Sequence, residues 1–477
     1  IKDAVKNLLN LKSVLEIPFV SVIDSVHLDS QIFQLHLLST IKLLEEKNNW
    51  LEIYKLFENH LPNIGYPFWD EPKILNKISF ATAKLAECTE NLKKKFQDQK
   101  ERNQYIKEKK HFRELTIRLR KRAIELEPEN PVHYSNLAYS YYQSAIELTT
   151  PGGRRDGNFL QDANEALIYI DFALRLDKYR MTDIYRRAIL NADFMAEQYF
   201  YKNIDDDLEE KLEIYQNHMD SSIQDFLLIE KLFVNLPDEQ QKRFKKTYIK
   251  SLYNIAQKYM RLAKVNFNPY NVIYGTKQKY FKEENKSQLN LLLANLYIDK
   301  CIKEDYSKNK PESKPEELVL CNNFVISVYK SYLKGTINLF LFYLTERNEF
   351  EIEAKKFLQI AMETNFPPEQ KNQNKIFILE KIALFHIIKN EPEISVKILE
   401  LLYIKKNNLP PFAAYSLAVA YYLNKNEGKA MEIIDKYSKQ NNDIFKYKFE
   451  RLLDLITNKD KLSDRTKLIN PYIDTNE

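Results

Sequence analysis

At 477 residues, with 44% hydrophobic and 13% aromatic side chains, the chain has the apolar material for a continuous core and is too long for a single compact one. Lys and Arg outnumber Asp and Glu by only five over that length, which excludes a chain that is polycationic throughout. Glycine occurs seven times, about 1.5% against a usual ~7%; sheet-rich folds need turn glycines in quantity, so the composition predicts an all-α protein.

Residues 1–92 are expected to form an N-terminal helical region. Gln31–Glu46 and Asn49–Phe57 carry apolar residues at helical spacing. Pro62, Gly65 and Pro67 then break the chain around an aromatic stretch, Tyr66, Phe68 and Trp69. Helix resumes at Lys73–Lys95, with Ile78, Ala81 and Leu85 on its apolar face. From 93 to 122 the composition changes: thirteen Lys or Arg stand against four Asp or Glu, and no apolar residue occurs between Gln97 and Gln104. A basic helix or arm is predicted here. Its Lys109, Lys110, Arg113, Arg118, Arg120, Lys121 and Arg122 form a patch suited to an acidic partner or a nucleic-acid backbone.

Residues 123–264 are expected to form a repeat block. Its first motif is Ala123-Ile124-Glu125-Leu126-Glu127-Pro128, followed by Tyr134, Leu137, Ala138 and Tyr141. These residues resemble the tetratricopeptide repeat, in which a small residue and a proline five positions later end one hairpin, and an aromatic, Leu, a small residue and Tyr open the next. The second helix of this hairpin carries Ala166, Ile170, Ala173 and Leu176, and it is delayed by roughly sixteen residues through an insert at 149–158 containing Gly152, Gly153, Arg154 and Arg155. The insert lacks the residue order of a phosphate loop, so Arg154 and Arg155 are contact candidates only. Asp205–Asp207 and Pro237 mark further helix starts.

The aromatic stretch at 265–285 has no clear period and is expected to be a linker, followed by a second repeat block over 286–477. In that block Ile382, Ala383, His386, Ser395, Leu399 and Leu402 are answered 35 residues later by Leu417, Ala418, Tyr421, Ala430, Ile434 and Tyr437. A fixed step in the mid-thirties is the signature of stacked helical hairpins, and a terminal segment over 445–456 would cap the array.

The resemblance implies a right-handed superhelical solenoid of helical hairpins that works by recognition rather than catalysis. Groove positions on the inner helices would be Asn136, Tyr139, Tyr142, Arg186, Phe412 and Tyr415. The clamp that some family members use for C-terminal carboxylates is not supported, because Thr182 stands where Lys is needed; an apolar or aromatic groove for a peptide, helix or folded subunit fits better.

Metal and cofactor chemistry find no motif. The seven histidines include no i, i+4 pair and no H-E-x-x-H. Cys88, Cys301 and Cys321 are odd in number and far apart, which suggests buried thiols in a reducing compartment. No apolar run of eighteen residues and no leader occurs, so a cytoplasmic protein without a membrane partner is expected. Three readings stay open: a protein-binding scaffold or regulatory subunit, a component of a nucleic-acid-associated complex, and the sensing arm of a caspase-like protease or other defence effector.

Overall fold

The computed structural model describes residues 27–58, 71–93, 99–147, 159–196, 208–265, 284–306, 324–363, 371–406, 409–439 and parts of 449–457. Among them there is no strand, and sixteen α-helices follow one another: α1 (His27–Glu46), α2 (Trp50–Glu58), α3 (Pro72–Lys93), α4 (Gln99–Leu126), α5 (Pro131–Glu147), α6 (Phe159–Leu176), α7 (Met181–Ile189), α8 (Leu208–Val234), α9 (Asp238–Lys264), α10 (Glu284–Tyr306), α11 (Phe324–Thr345), α12 (Asn348–Glu363), α13 (Lys371–Ile388), α14 (Pro392–Lys406), α15 (Pro411–Leu423) and α16 (Glu427–Ser438). They pair as antiparallel hairpins of the tetratricopeptide type. The aromatic insert around Tyr66–Trp69, the Gly/Arg insert at 149–158 and most of the 265–285 stretch lie outside the described residues. The two helices flanking that last stretch, α9 and α10, form one hairpin, closed by Lys245–Glu304 and by Ser287 donating to the Ala263 carbonyl at 3.3 Å.

Helix boundaries follow local chemistry. Proline occupies the first turn of α3, α5, α14 and α15, where its missing N–H costs nothing. Asn130 caps α5 by accepting from the Val132 amide at 3.1 Å, and Asn426 caps α16 by accepting from Lys429 N at 3.3 Å. Turns within three hairpins share one design: Asn48, Asn390 and Lys425 are left-handed, with φ of 52°, 60° and 58°. The next amide then reaches back across the turn, Asn49 to the Leu44 carbonyl, Glu391 to His386 and Asn426 to Tyr421. This is the Schellman closure, usually given to glycine. Asn390 and Lys425 are themselves one repeat apart.

Small residues sit at the crossings. Ala138 and Ala166, Ala383 and Ser395, and Ala418 and Ala430 are fully buried, and the Ser395 hydroxyl donates to the Ala383 carbonyl at 2.7 Å. Gly335 plays this part between α11 and α12: a Cβ there would meet Leu358 Cγ at 2.8 Å and its backbone nitrogen at 3.0 Å.

The chain divides into two compact units, the first ending at Asp183 and the second beginning at Ile184. In the first, the core gathers Ile41, Ile53, Phe57, Ile74, Leu119 and Ala123 from α1 to α4. In the second, Phe449 is fully buried and packs against Tyr415 and Tyr437, covering the end of the last hairpin.

Two stability effects follow. Gly335→Ala forces α11 and α12 apart against backbone as well as side chain, and should cost about 1–3 kcal/mol in a urea unfolding titration. Lys425→Gly relieves a left-handed lysine and should raise stability by about 0.5–1 kcal/mol, the strain removed exceeding the added chain entropy.

Candidate binding surface

Within each unit the first helix of one hairpin touches the first helix of the next. In the first unit, Lys77 of α3 meets Glu45 of α1 at 2.6 Å, and Asn76 of α3 approaches His133 Nδ1 of α5 at 3.1 Å. The opposite ring nitrogen of His133 lies 2.7 Å from the Glu127 carboxylate. Hydrogen bonds from Asn130 and His133 hold the Glu127 carboxyl below its ordinary range. Ser135 donates to Asp183 at 2.7 Å, joining α5 to the first turn of α7.

Asn136 belongs to this row. Its carbonyl accepts from Arg120, and its amide lies 3.4 Å from the Asn76 oxygen. Tyr139 and Tyr142 are half-buried, with rings stacked at 6.4 Å on the same helix. Arg120 does not belong to an exposed basic patch. It is only 5% exposed, and its guanidinium also reaches Ser79 and Ser140, tying α3, α4 and α5 together. Of the other basic candidates, Lys109, Arg113 and Arg122 are half-buried, Arg122 lying 2.7 Å from Glu125, while Lys110, Arg118 and Lys121 are exposed. Arg154 and Arg155 lie outside the described residues.

In the second unit the row runs through α7, α9, α11, α13 and α15. Beyond Ile189, α7 continues as a π-helical turn, Leu190–Ala196. That turn carries Asp193, which meets Lys258 and, at 2.9 Å, Arg261 of α9. Lys258 is completely buried. Burial pushes the Asp193 carboxyl up, but the two cations outweigh it and hold its pKa below the ordinary value. Beside this group Arg187 makes a two-pronged contact with Asp225 of α8, at 2.9 and 2.7 Å. Arg186, on the same helix, is half-buried. Burial raises Tyr185, which lies 3.3 Å from Asn254, to about 12.

Further along, Lys264 lies over the Phe340 ring at 5.6 Å, and Phe342 meets Phe385 at 6.2 Å. Lys330 and Lys334 of α11 turn back to Asp305 and Asp299 of α10, and Asn338 donates to Asn295 one turn later at 3.1 Å. Glu380 of α13 accepts from Ser416 of α15 at 2.8 Å. Phe377 and Phe412, 35 residues apart, stack at 4.5 Å and 7°, and both are half-buried. Tyr415 is not an open groove position, because Phe449 covers it.

The structure thus groups Asn136 with Tyr139 and Tyr142 in one unit, and Phe412 with Phe377 in the other. Phe377 could have been found by stepping back one repeat from Phe412. Asp193, Lys258, Lys330, Lys334 and Glu380 gave no signal, since Lys, Asp and Glu in helices usually mark solvated faces. His386 is half-buried with Nδ1 2.7 Å from Glu391, rather than sealed in the core. Cys301 is fully buried, donates to the Ile249 carbonyl at 3.4 Å, and is pushed by burial to about 12. No cluster of three or more His, Cys, Asp or Glu that could hold a metal occurs among the described residues, nor does any helix there have the length and apolarity to cross a membrane.

No protein-family model and no curated protein sequence matches the chain. Among solved structures it is similar to the P58(IPK) TPR domain at 11% identity, covering 80% of this chain and 99% of that one, with a TM-score of 0.20. A human IFIT1 dimer with m7Gppp-AAAA aligns at 12% identity over 91% of this chain and 85% of that one, with a TM-score of 0.24. Naa15/Naa10 bound to HypK-THB aligns at 10% identity over 93% and 69%, with a TM-score of 0.22. The tetratricopeptide-like character of the fold stands on the hairpins themselves.

The buried ionic group sets a stability test. Asp193→Asn leaves Lys258 without its carboxylate and should lower unfolding free energy by about 3 kcal/mol at pH 7, with Asp193→Asn/Lys258→Met recovering most of it. The folded carboxyl titrates below the ordinary range of an aspartate, so its contribution is present at neutral pH and lost as pH falls through the folded value. The gap between wild type and Asp193→Asn in urea titrations should therefore narrow with acidification.

Proposed function

We propose that this chain is a non-catalytic, cytoplasmic scaffold or regulatory subunit that holds a protein partner against its row of first helices. The stacked pair Phe377 and Phe412 carries the reading. These rings repeat at the hairpin period, pack on each other rather than into a hairpin core, and keep part of their surface open. Rigid aromatic side chains of this kind are the common anchors of protein interfaces. Tyr139 and Tyr142 repeat the pattern in the first unit. The ion pairs between successive first helices support the same reading, because they fix the register of the surface while contributing little to its exposed chemistry. An amphipathic helix or extended peptide, with apolar residues aimed at the rings, is the partner this surface suits.

Photo-crosslinking in native cells tests it. A benzoylphenylalanine at Tyr139 or Phe412 should trap one protein reproducibly, whereas the same group at Ile352 or Lys439, exposed on or just beyond second helices, should not. Phe412→Ala should reduce recovery of that protein about tenfold while shifting the melting temperature by about 2–4 °C. Trapping only at positions 352 and 439 would overturn the proposal.

A further inference from the structure

Charge in this protein is concentrated in one place. The chain as a whole carries an excess of five positive charges, with 72 Lys and Arg against 67 Asp and Glu. Residues 93–122 alone hold thirteen Lys or Arg and four Asp or Glu, so the remainder has 59 against 63 and is net acidic by four. Helix α4 takes up most of that segment, and its packing sorts the cations. Leu115, Thr116, Leu119, Arg120 and Ala123 are buried. Lys107, Lys110, Arg118 and Lys121 are exposed, and their spacing of three, eight and three residues puts them on one face of the helix. From Lys107 to Lys121 this face runs about 21 Å.

Three observations identify what it fits. Lys107, Arg118 and Lys121 have no ion pair among the described residues, and Lys110 has only Glu114, 3.8 Å away and itself exposed. Glu114 lies within the stripe and Glu125, paired with Arg122, continues it one turn beyond Lys121, while Glu108 lies beside it. No large apolar side chain of α4 is exposed among those described. A protein interface is built around apolar and aromatic anchors with a polar rim, and this face offers none. Unpaired nucleic-acid strands are held by cations together with rings on which bases stack; among the described residues of α4 the one exposed ring is His111, and Tyr169 of α6, which lies near Lys121, is half-buried. A phosphate backbone in a duplex needs cations alone.

We propose that the outer face of α4 is a sequence-independent contact for the phosphate backbone of a nucleic-acid duplex, made by Lys107, Lys110, Arg118 and Lys121. Arg120, bonded to Ser79, Asn136 and Ser140, holds the helix in place rather than reaching the ligand. With about four phosphates neutralised, log Kd should change with log salt at a slope near 3.5 in magnitude, with micromolar affinity at low salt.

The test uses the full chain and fluorescein-labelled 20-base-pair DNA and RNA duplexes, a 20-nucleotide single-stranded RNA, and poly-L-glutamate of similar charge as competitor. Anisotropy is followed from 50 to 300 mM salt. Binding to either duplex more tightly than to the single strand, with that slope, is expected. Replacing Lys107, Lys110, Arg118 and Lys121 by Gln should weaken duplex binding at least tenfold at 50 mM salt and flatten the slope, without changing the circular-dichroism spectrum. A control replacing Lys355, Lys356, Lys425 and Lys439 by Gln should leave both unchanged. Absence of duplex binding at 50 mM salt, equal loss in the control, tighter binding to the single strand, or full displacement by poly-L-glutamate at matched charge would each overturn the assignment.

Discussion

Two helices can form a hairpin with close crossing only where the side chains between their backbones are very small, and the hairpins of this protein share that requirement. Ala138, Ala166, Ala383, Ser395, Ala418 and Ala430 are fully buried at such positions, Ser395 donates to the Ala383 carbonyl, and Gly335 lies directly against Leu358. The first-helix row inherits its spacing from them. An aromatic pair such as Phe377 and Phe412 can stack at 4.5 Å only because the hairpins beneath hold their helices at a fixed separation.

Between hairpins the chain uses a different device. Apolar packing is non-directional and would tolerate a slide of one helix along its neighbour. The polar contacts do not. Lys330 and Lys334 with Asp305 and Asp299, followed by Asn338 with Asn295, step along α10 and α11 at one-turn intervals, so a slip by one residue breaks every rung. Asp193 with Lys258 and Arg261 does the same between α7 and α9. Buried ion pairs of this kind contribute little net stability over apolar replacements; their effect is to penalise the wrong register, which matters where helices of 23 to 27 residues lie side by side and many offsets bury similar area.

The all-α class and the 35-residue step were legible because both rest on features that hairpin closure imposes locally: scarce glycine, small residues at fixed places and proline at helix starts. Tyr139, Tyr142 and Phe412 were expected as groove positions from the family resemblance, and the structure leaves all three half-buried. The polar locks were not legible. Lys258 and Lys334 have the sequence surroundings of exposed lysines, and only the neighbouring hairpin, tens of residues away, brings the carboxylate that makes their burial tolerable. Arg120 was misplaced in a surface patch for that reason: its acceptors, Ser79, Asn136 and Ser140, lie on two other helices. Tyr415 was covered by Phe449, thirty-four residues downstream, a contact outside any repeat. The π-helical turn at 190–196 contains neither glycine nor proline to announce it.

The same sorting explains why the basic segment is a helix with two distinct sides rather than a solvated arm. Its apolar residues are few, but Leu115, Leu119 and Ala123 fall at helical spacing, and α3 supplies the surface that buries them. Once that face is docked, Arg120 is carried inward and must find oxygen acceptors, which it does. The cations on the opposite side are held in a line by the rigidity of the docked helix, and their mutual repulsion is tolerated because water and salt screen them. A free arm of the same composition would disperse these charges and lose entropy on binding any polyanion. A helix already fixed by its core presents them without that cost, and this preorganisation turns a run of lysines and arginines into a surface.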